Sequence, residues 1–208
     1  MHAIITDGSI SKIINHPKPL VIGDVQYPAR IFSAWTASEL AAIGIYEITF
    51  DDSKKKDGKY YINTNQTYTY DASAGTVTAT YGDATARAHA DTLFTAQDET
   101  DGLGTEGEVK VEGLKTKFIR TVKSQAKNLL NETDWYITRK AEKNTAIPSA
   151  ITTWRDGIRT KQAAMETSIT NASDTPALET LYTYVNTADE GDPVVMERPL
   201  GEFPELGS

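Results

Sequence analysis

Residues 110–131 read KVEGLKTKFIRTVKSQAKNLLN, and within them Leu114, Phe118, Val122, Ala126 and Leu129 recur every three or four positions, with Lys115, Lys123 and Lys127 on other faces. That period lays one apolar stripe along a helix, so the spacing predicts an amphipathic helix over 110–131. Downstream, Thr133 or Asp134 is placed to cap a short helix carrying Trp135, Ile137 and Ala141. Ile147-Pro148 opens another helix, because proline in the first turn gives up an N–H that has no intrahelical partner there. Its stripe, Ile151, Trp154, Ile158, Met165 and Ile169, carries it to about residue 170. Thr175-Pro176 repeats the start signal ahead of Leu178, Leu181, Tyr182 and Val185. From Thr187 onward, Asp189-Glu190-Gly191-Asp192-Pro193 and then Pro199, Pro204 and Gly207 predict an extended or disordered acidic tail.

Upstream the period changes. Ala3–Thr6 and Ile10–Ile14 flank Asp7-Gly8, a hairpin signal because a tight turn of this kind needs positive φ. Thr36-Ala37-Ser38-Glu39 has the capping-box spacing, and Gly44 stands where a helix ends, which predicts a short helix over 37–43. Ile45–Phe50, Tyr60–Ile62, Thr67–Tyr70 and Thr76–Tyr81 are rich in β-branched and aromatic residues and read as strands, with a turn at 71–75. Between Gly82 and Glu108 seven acids stand against one arginine, which predicts a linker, with a weak helix over 84–93 as an alternative. The expected class is α+β: a small antiparallel β-rich domain (1–82), an acidic linker (83–108), an antiparallel helical hairpin or bundle (109–186) and the tail (187–208).

The 208 residues carry a formal charge of -8, unevenly placed. Residues 110–161 hold 12 Lys and Arg against 5 acids, a net of +7, while the remainder holds 9 against 24, a net of -15. The halves are therefore suited to attract each other or an acidic partner. Cysteine is absent, which excludes disulfides and thiol chemistry. No apolar run approaches the ~18 residues of a membrane span, and Met1-His2-Ala3 begins neither a basic nor an apolar leader, so neither membrane insertion nor signal-directed secretion is expected.

Signals for catalysis are weak. His2, His16 and His89 lie far apart, without the spacing that sets two metal ligands on one helix face. Gly102-Leu103-Gly104 lacks the third glycine of a nucleotide-binding turn, and no nucleophile elbow or phosphate-loop lysine occurs. Tyr68 and Tyr70 alternate with threonines, a pattern that suits either a small sheet or a sugar-binding face. The basic helices with Trp135, Tyr136 and Trp154 have the composition of a nucleic-acid surface, but the helical period puts the tryptophans on or beside the apolar stripe. No catalytic, metal or cofactor residue is assigned.

The segment Asn128-Leu129-Leu130-Asn131-Glu132-Thr133-Asp134-Trp135-Tyr136, followed by Arg139, Glu142, Ile147-Pro148 and Trp154-Arg155-Asp156-Gly157-Ile158-Arg159, resembles the LLxxTDW … (W/Y)RxxLR pattern of tailed-bacteriophage tail assembly chaperones and tail fibre assembly proteins. The opening, from Ile4 to Ile10 with Tyr27-Pro28, Trp35-Thr36, Glu39-Leu40 and Gly44-Ile45-Tyr46, is similar to the start of phage tail-fibre-associated proteins. The insert 51–108 and the acidic tail have no counterpart in that family. The resemblance implies a non-enzymatic tail protein, either a minor component of the tail tip or fibre apparatus or an assembly factor absent from the virion. A carbohydrate-binding fibre module is the alternative. Expected partners are other tail or fibre proteins, with self-association or a host glycan also open, and no nucleic acid, membrane or cofactor; the expected place is the virion tail or the host cytoplasm.

Independently of the family, Asp134 is suited to accept amide hydrogens at a helix start and Trp135 to pack under the turn between antiparallel helices. Arg155 or Arg159 is placed to pair with Asp134 or Glu132 across that turn. The candidate motif and interaction residues are Trp35, Tyr46, Asp134, Trp135, Trp154, Arg155 and Arg159.

Overall fold

The computed structural model describes residues 1–207, and the chain divides into two compact units, Met1–Thr85 and a second that begins at Ala86. The α+β class is as expected, with strands concentrated at the N-terminus and helices after them.

In the first unit, β1 (His2–Thr6) and β2 (Ser9–Ile14) form a hairpin whose turn residues Asp7 and Gly8 both have positive φ, 51° and 73°. The short pair β3 (Leu20–Ile22) and β4 (Val25–Tyr27) leads into α1 (Ile31–Ala34) and α2 (Ala37–Ala42). At the start of α2, Glu39 N–H donates to Thr36 Oγ1 and Thr36 N–H donates to Glu39 Oε2, closing the capping box. Gly44 follows with φ 79°, and a Cβ there would sit 2.8 Å from the Ile5 carbonyl oxygen. Then come β5 (Ile45–Asp51), β6 (Tyr61–Ile62), β7 (Thr67–Asp71), β8 (Thr76–Thr80) and, at the boundary along the chain, β9 (Thr85–Ala86).

The main sheet has the order β2-β1-β5-β8-β7. It departs from the expected all-antiparallel arrangement at one place, where β5 and β8 run parallel with Ile48 opposite Val77. Strand burial accounts for it. Val77 and Ala79 on β8 are fully buried, whereas Tyr68 and Tyr70 on β7 are amphipathic and tolerate an edge, so the β7–β8 hairpin docks with β8 inward. Alternation divides the core between the two faces: Ile4, Ile14 and Ile45 meet α1, α2 and Leu20 on one, while Ala3, Ile48, Val77 and Ala79 line the other.

The second unit opens with β10 (Thr92–Leu93), α3 (Ala96–Thr100) and β11 (Val109–Val111), followed by α4 (Leu114–Asn131), α5 (Asp134–Lys143), α6 (Ser149–Asn171) and α7 (Thr175–Tyr182). The short strands β12 (Val185–Asn186) and β13 (Met196–Glu197) complete it. Helices α4 and α6 are antiparallel: Lys115 Nζ donates to the Thr170 carbonyl near one end and Arg155 Nη1 to the Leu130 carbonyl near the other. Leu114, Phe118, Val122 and Ala126 form the buried stripe of α4; Trp154, Ile158, Met165 and Ile169 form that of α6.

Two of the expected boundaries move. Of the expected linker 83–108, residues 86–108 belong to the second unit and cap α4 from a distance. Leu114 and Lys115 N–H donate to the Ala88 and His89 carbonyls, and Asp91 accepts from Gly113 N–H and Thr116 Oγ1, both at 2.7 Å. Those bonds satisfy amides that every helix start leaves open, and Gly113 is required there because a Cβ would lie 2.3 Å from the Ala90 backbone. The helix accordingly begins at Leu114 rather than 110, and the weak helix over 84–93 is replaced by extended chain. The segment 187–207 is extended but not loose at its far end: Leu200 is buried, its N–H bonds the Leu181 carbonyl, and Phe203 packs with Ala126, Trp154 and Ile158.

Candidate functional site

The sequence motif converges at the turn between α4 and α5. Arg155, on the buried side of α6, donates from Nη1 to the Leu130 carbonyl at 2.8 Å and to Thr133 Oγ1 at 2.7 Å, and from Nη2 to Asp134 Oδ1 at 2.8 Å. Thr133 Oγ1 in turn donates to the Leu130 carbonyl. The Leu130 carbonyl, near the C-terminal end of α4, already accepts the Thr133 N–H at 3.1 Å, so the guanidinium adds a charged donor to that helix end as well as pairing a carboxylate. Of the two alternatives for the arginine, Arg155 takes the role; Arg159 is exposed and pairs with Asp156 on its own helix, 3.0 Å away. The acid that Arg155 engages is Asp134 rather than Glu132.

Trp154 is buried beside this clasp and its indole Nε1–H donates to the Pro204 carbonyl at 2.9 Å. Trp135 departs from expectation. It does not pack under the turn but is 51% exposed, its ring stacked on Tyr136 with centroids 3.8 Å apart and planes at 29°. Arg155 and Thr133 already fill the space beneath the turn, so the indole is directed outward. The Arg139 guanidinium lies over both rings, 4.8 Å from Trp135 and 5.1 Å from Tyr136, while its buried Nε has no hydrogen-bond partner among the described residues. Ile137 is exposed too, Lys140 and Lys143 lie in the last turn, and no residue of α5 is fully buried. This surface is apolar, aromatic and cationic at once. Tyr136 and Arg139 were not among the candidate residues; the spacing of Trp135 and Arg139, four apart, was the signal that could have found them.

The N-terminal candidates are chiefly internal. Trp35 meets Tyr27 edge-on, 5.8 Å between centroids, and packs against the Ile31 and Leu40 core. Tyr46 receives a hydrogen bond from the Tyr70 hydroxyl at 3.2 Å, and that bond raises the Tyr70 pKa above its ordinary value. Tyr68 and Tyr70 are half-buried and pack with Val77 and Ala79. Among the described residues no group of three or more His, Cys, Asp or Glu side chains is gathered to hold a metal ion, and no helix is long and apolar enough to cross a membrane.

Two acids around α3 and the start of α4 have lowered pKa values. Asp98 is held at about 2, below the ordinary 3.8, by the Lys110 ammonium first and then by the Thr95 N–H and hydroxyl. Asp91 is lowered by Thr116 Oγ1 and Gly113 N–H. Both acids therefore serve as structural acceptors. No family profile, curated protein or solved structure matches the chain.

Proposed function

We propose that this chain is a non-enzymatic tail protein of a tailed bacteriophage, a minor component of the tail tip or fibre apparatus or a factor that assembles it. It acts by burying surface against other tail or fibre proteins, and α5 is the helix that meets them. The resemblance of the Leu129–Tyr136 and Trp154–Arg159 segments to the tail assembly families supports the class of protein. One observation carries the site: the motif's Arg155, Thr133 and Asp134 are consumed in holding the helix turn, while Trp135 is left exposed, its ring stacked on the half-buried Tyr136 with the Arg139 guanidinium over both, on a helix without a fully buried residue. Stacked aromatics and arginine are the side chains that dominate interface energetics, since they present large area with little entropy to lose.

Peptide mass spectrometry of purified particles and of infected-cell lysate tests the class of function. Stoichiometric copies in the particle make the chain a structural component; abundance in the lysate alone makes it an assembly factor. Presence in neither fraction alongside other tail proteins defeats the proposal. For the site, Trp135→Ala is expected to abolish co-purification of tail proteins while shifting stability by no more than about 0.5 kcal/mol, as for an exposed residue. Retained co-purification overturns the assignment of α5.

A further inference from the structure

The basic stretch 110–161 does not present its charge evenly. Of its 12 Lys and Arg, six are held within the chain, Lys110, Arg120, Lys123, Arg155 and Arg159 by carboxylates and Lys115 by the Thr170 carbonyl. The side chains of Lys117, Lys127, Arg139, Lys140, Lys143 and Lys161 have no ion pair or hydrogen bond among the described residues. Three of those six belong to α5.

At about 100° per residue, Trp135, Arg139, Lys143, Tyr136 and Lys140 follow one another around α5 within an arc of about 140°. The arc holds two aromatic rings and three cations and no acid. Of the two acids on α5, Asp134 is taken by Arg155, and Glu142 falls outside the arc, beyond Trp135.

Within the arc the rings and the guanidinium are set for one kind of contact. Stacking on an aromatic ring uses the flat face of a guanidinium and leaves the N–H groups in its plane free, the arrangement that receives a carboxylate through two parallel hydrogen bonds. Arg139 is stacked in this way over Trp135 and Tyr136, and its buried Nε has no acceptor among the described residues. Buried donors nearly always have one, so this side chain is left incomplete by its own chain. Beside it the exposed indole of Trp135 offers apolar area, and the exposed Lys140 and Lys143 add charge that is not tied to one geometry. A nucleic acid fits the same charge less well. Its binding grows with the number of phosphates neutralised, and the arc supplies three cations on a chain whose residues outside 110–161 carry a net of -15. A short acidic segment meets the arc alone.

We propose that α5 receives an acidic segment of a partner protein, with a carboxylate on the Arg139 guanidinium, an apolar side chain on the Trp135 ring and further acids toward Lys140 and Lys143. This rests on α5 being the helix that meets other tail or fibre proteins, and it adds the chemistry of what the helix meets.

The full isotope-labelled chain is titrated with a short peptide of glutamate and leucine and, in parallel, with the same peptide carrying glutamine for glutamate. The three tryptophans give three indole N–H signals, and Trp135→Phe identifies the one that belongs to Trp135. The glutamate peptide is expected to move that signal and to leave the Trp154 signal, whose N–H is bonded to Pro204, in place. It should bind about tenfold more tightly than the glutamine peptide, the factor that one hydrogen bond to a charged group supplies. Arg139→Lys keeps the charge but loses the planar fork, and is expected to weaken binding by about tenfold too. The pair Lys140→Gln/Lys143→Gln should make binding less sensitive to salt. Equal binding of the two peptides, or no shift with either up to about 1 mM, overturns the acidic occupant. So does tighter binding of an oligothymidine than of the glutamate peptide, which assigns the arc to nucleic acid, or movement of the Trp135 signal with protein concentration alone, which assigns it to a second copy. Wild-type binding by Arg139→Lys overturns the placement of the carboxylate. Co-purification of tail proteins is read separately: if Trp135→Ala abolishes it while the glutamate peptide fails to bind, α5 remains the contact helix and only its acidic occupant is lost. If co-purification survives while the peptide binds, the arc takes acids but α5 is not the helix that meets tail proteins.

Discussion

Replacing Arg155 with alanine separates two roles that the geometry gives to one guanidinium. The side chain is 8% exposed, whereas that of Asp134 is 54% exposed. In the Arg155→Ala chain Asp134 rehydrates, but the Leu130 carbonyl and the buried Thr133 hydroxyl lose their cationic donor in a place water enters poorly. Hydrogen bonds to charged groups contribute about 1.5–3 kcal/mol each, and breaking a buried pair by removing one partner costs about 3–5 kcal/mol. With one acid free to recover its hydration, the expected loss is about 3 kcal/mol. Asp134→Asn keeps the shape and leaves both remaining bonds of Arg155 in place, so it is expected to cost about 1 kcal/mol or less, as half-exposed pairs do. Urea titration followed by far-UV circular dichroism reads both, and a double variant gives the coupling between them. Thermal melting should fall by roughly 10 °C for Arg155→Ala in a unit of this size. A loss for Asp134→Asn equal to that for Arg155→Ala would show that the ion pair, not the helix-end carbonyl, is what Arg155 serves. A loss below about 1 kcal/mol for Arg155→Ala would refute the clasp altogether.

Three other outcomes are expected. Trp154→Ala should cost about 3–5 kcal/mol as a buried aromatic deletion, and Trp154→Phe about 1–2 kcal/mol through loss of the bond to Pro204; chemical denaturation measures both, and an Ala variant of wild-type stability contradicts a core position. Gly44→Ala should destabilise the first unit by about 2 kcal/mol or more, since it combines positive φ with a close approach to Ile5, and a neutral result by melting would remove the strain argument. Asp98 has a depressed pKa, so the stability it contributes is complete above the ordinary carboxylate value of 3.8 and disappears as pH falls toward about 2; carbon-detected NMR titration should show that midpoint, and Lys110→Gln should raise it, with an unmoved midpoint counting against the Lys110 contact.

What the residues specify over a span of four or so was readable in advance. The 3.6-residue stripe of α4 and α6, the Thr36–Glu39 box, the Asp7-Gly8 turn and the Pro148 and Pro176 helix starts are each local rules, and each appears within a few residues of its expected place. The motif turn was legible in kind, because an acid at a helix start and an arginine one helix later have few other reasons to occur together. It was not legible which arginine would pair, nor that the pairing would leave Trp135 outside.

Composition, by contrast, misjudged residues 86–108 of the expected linker 83–108, and it gave the tail as extended without showing that its far end docks. Both are polar, acidic and rich in turn residues, and nothing within either segment would order it. Their order comes from donors and acceptors supplied at long range: Gly113 and Thr116 to Asp91, Thr175 to the Arg87 carbonyl, Trp154 to Pro204. Local periodicity and capping chemistry are enough to set the α+β class, the helical pair and the residues of the clasp. Three features were settled by the assembled fold: β8 runs parallel to β5, an acidic stretch caps α4, and Trp135 rather than Trp154 faces outward. The reason is that helix ends and buried indoles must have their polar groups satisfied, but the residue that satisfies them depends on which chain segments the fold brings alongside.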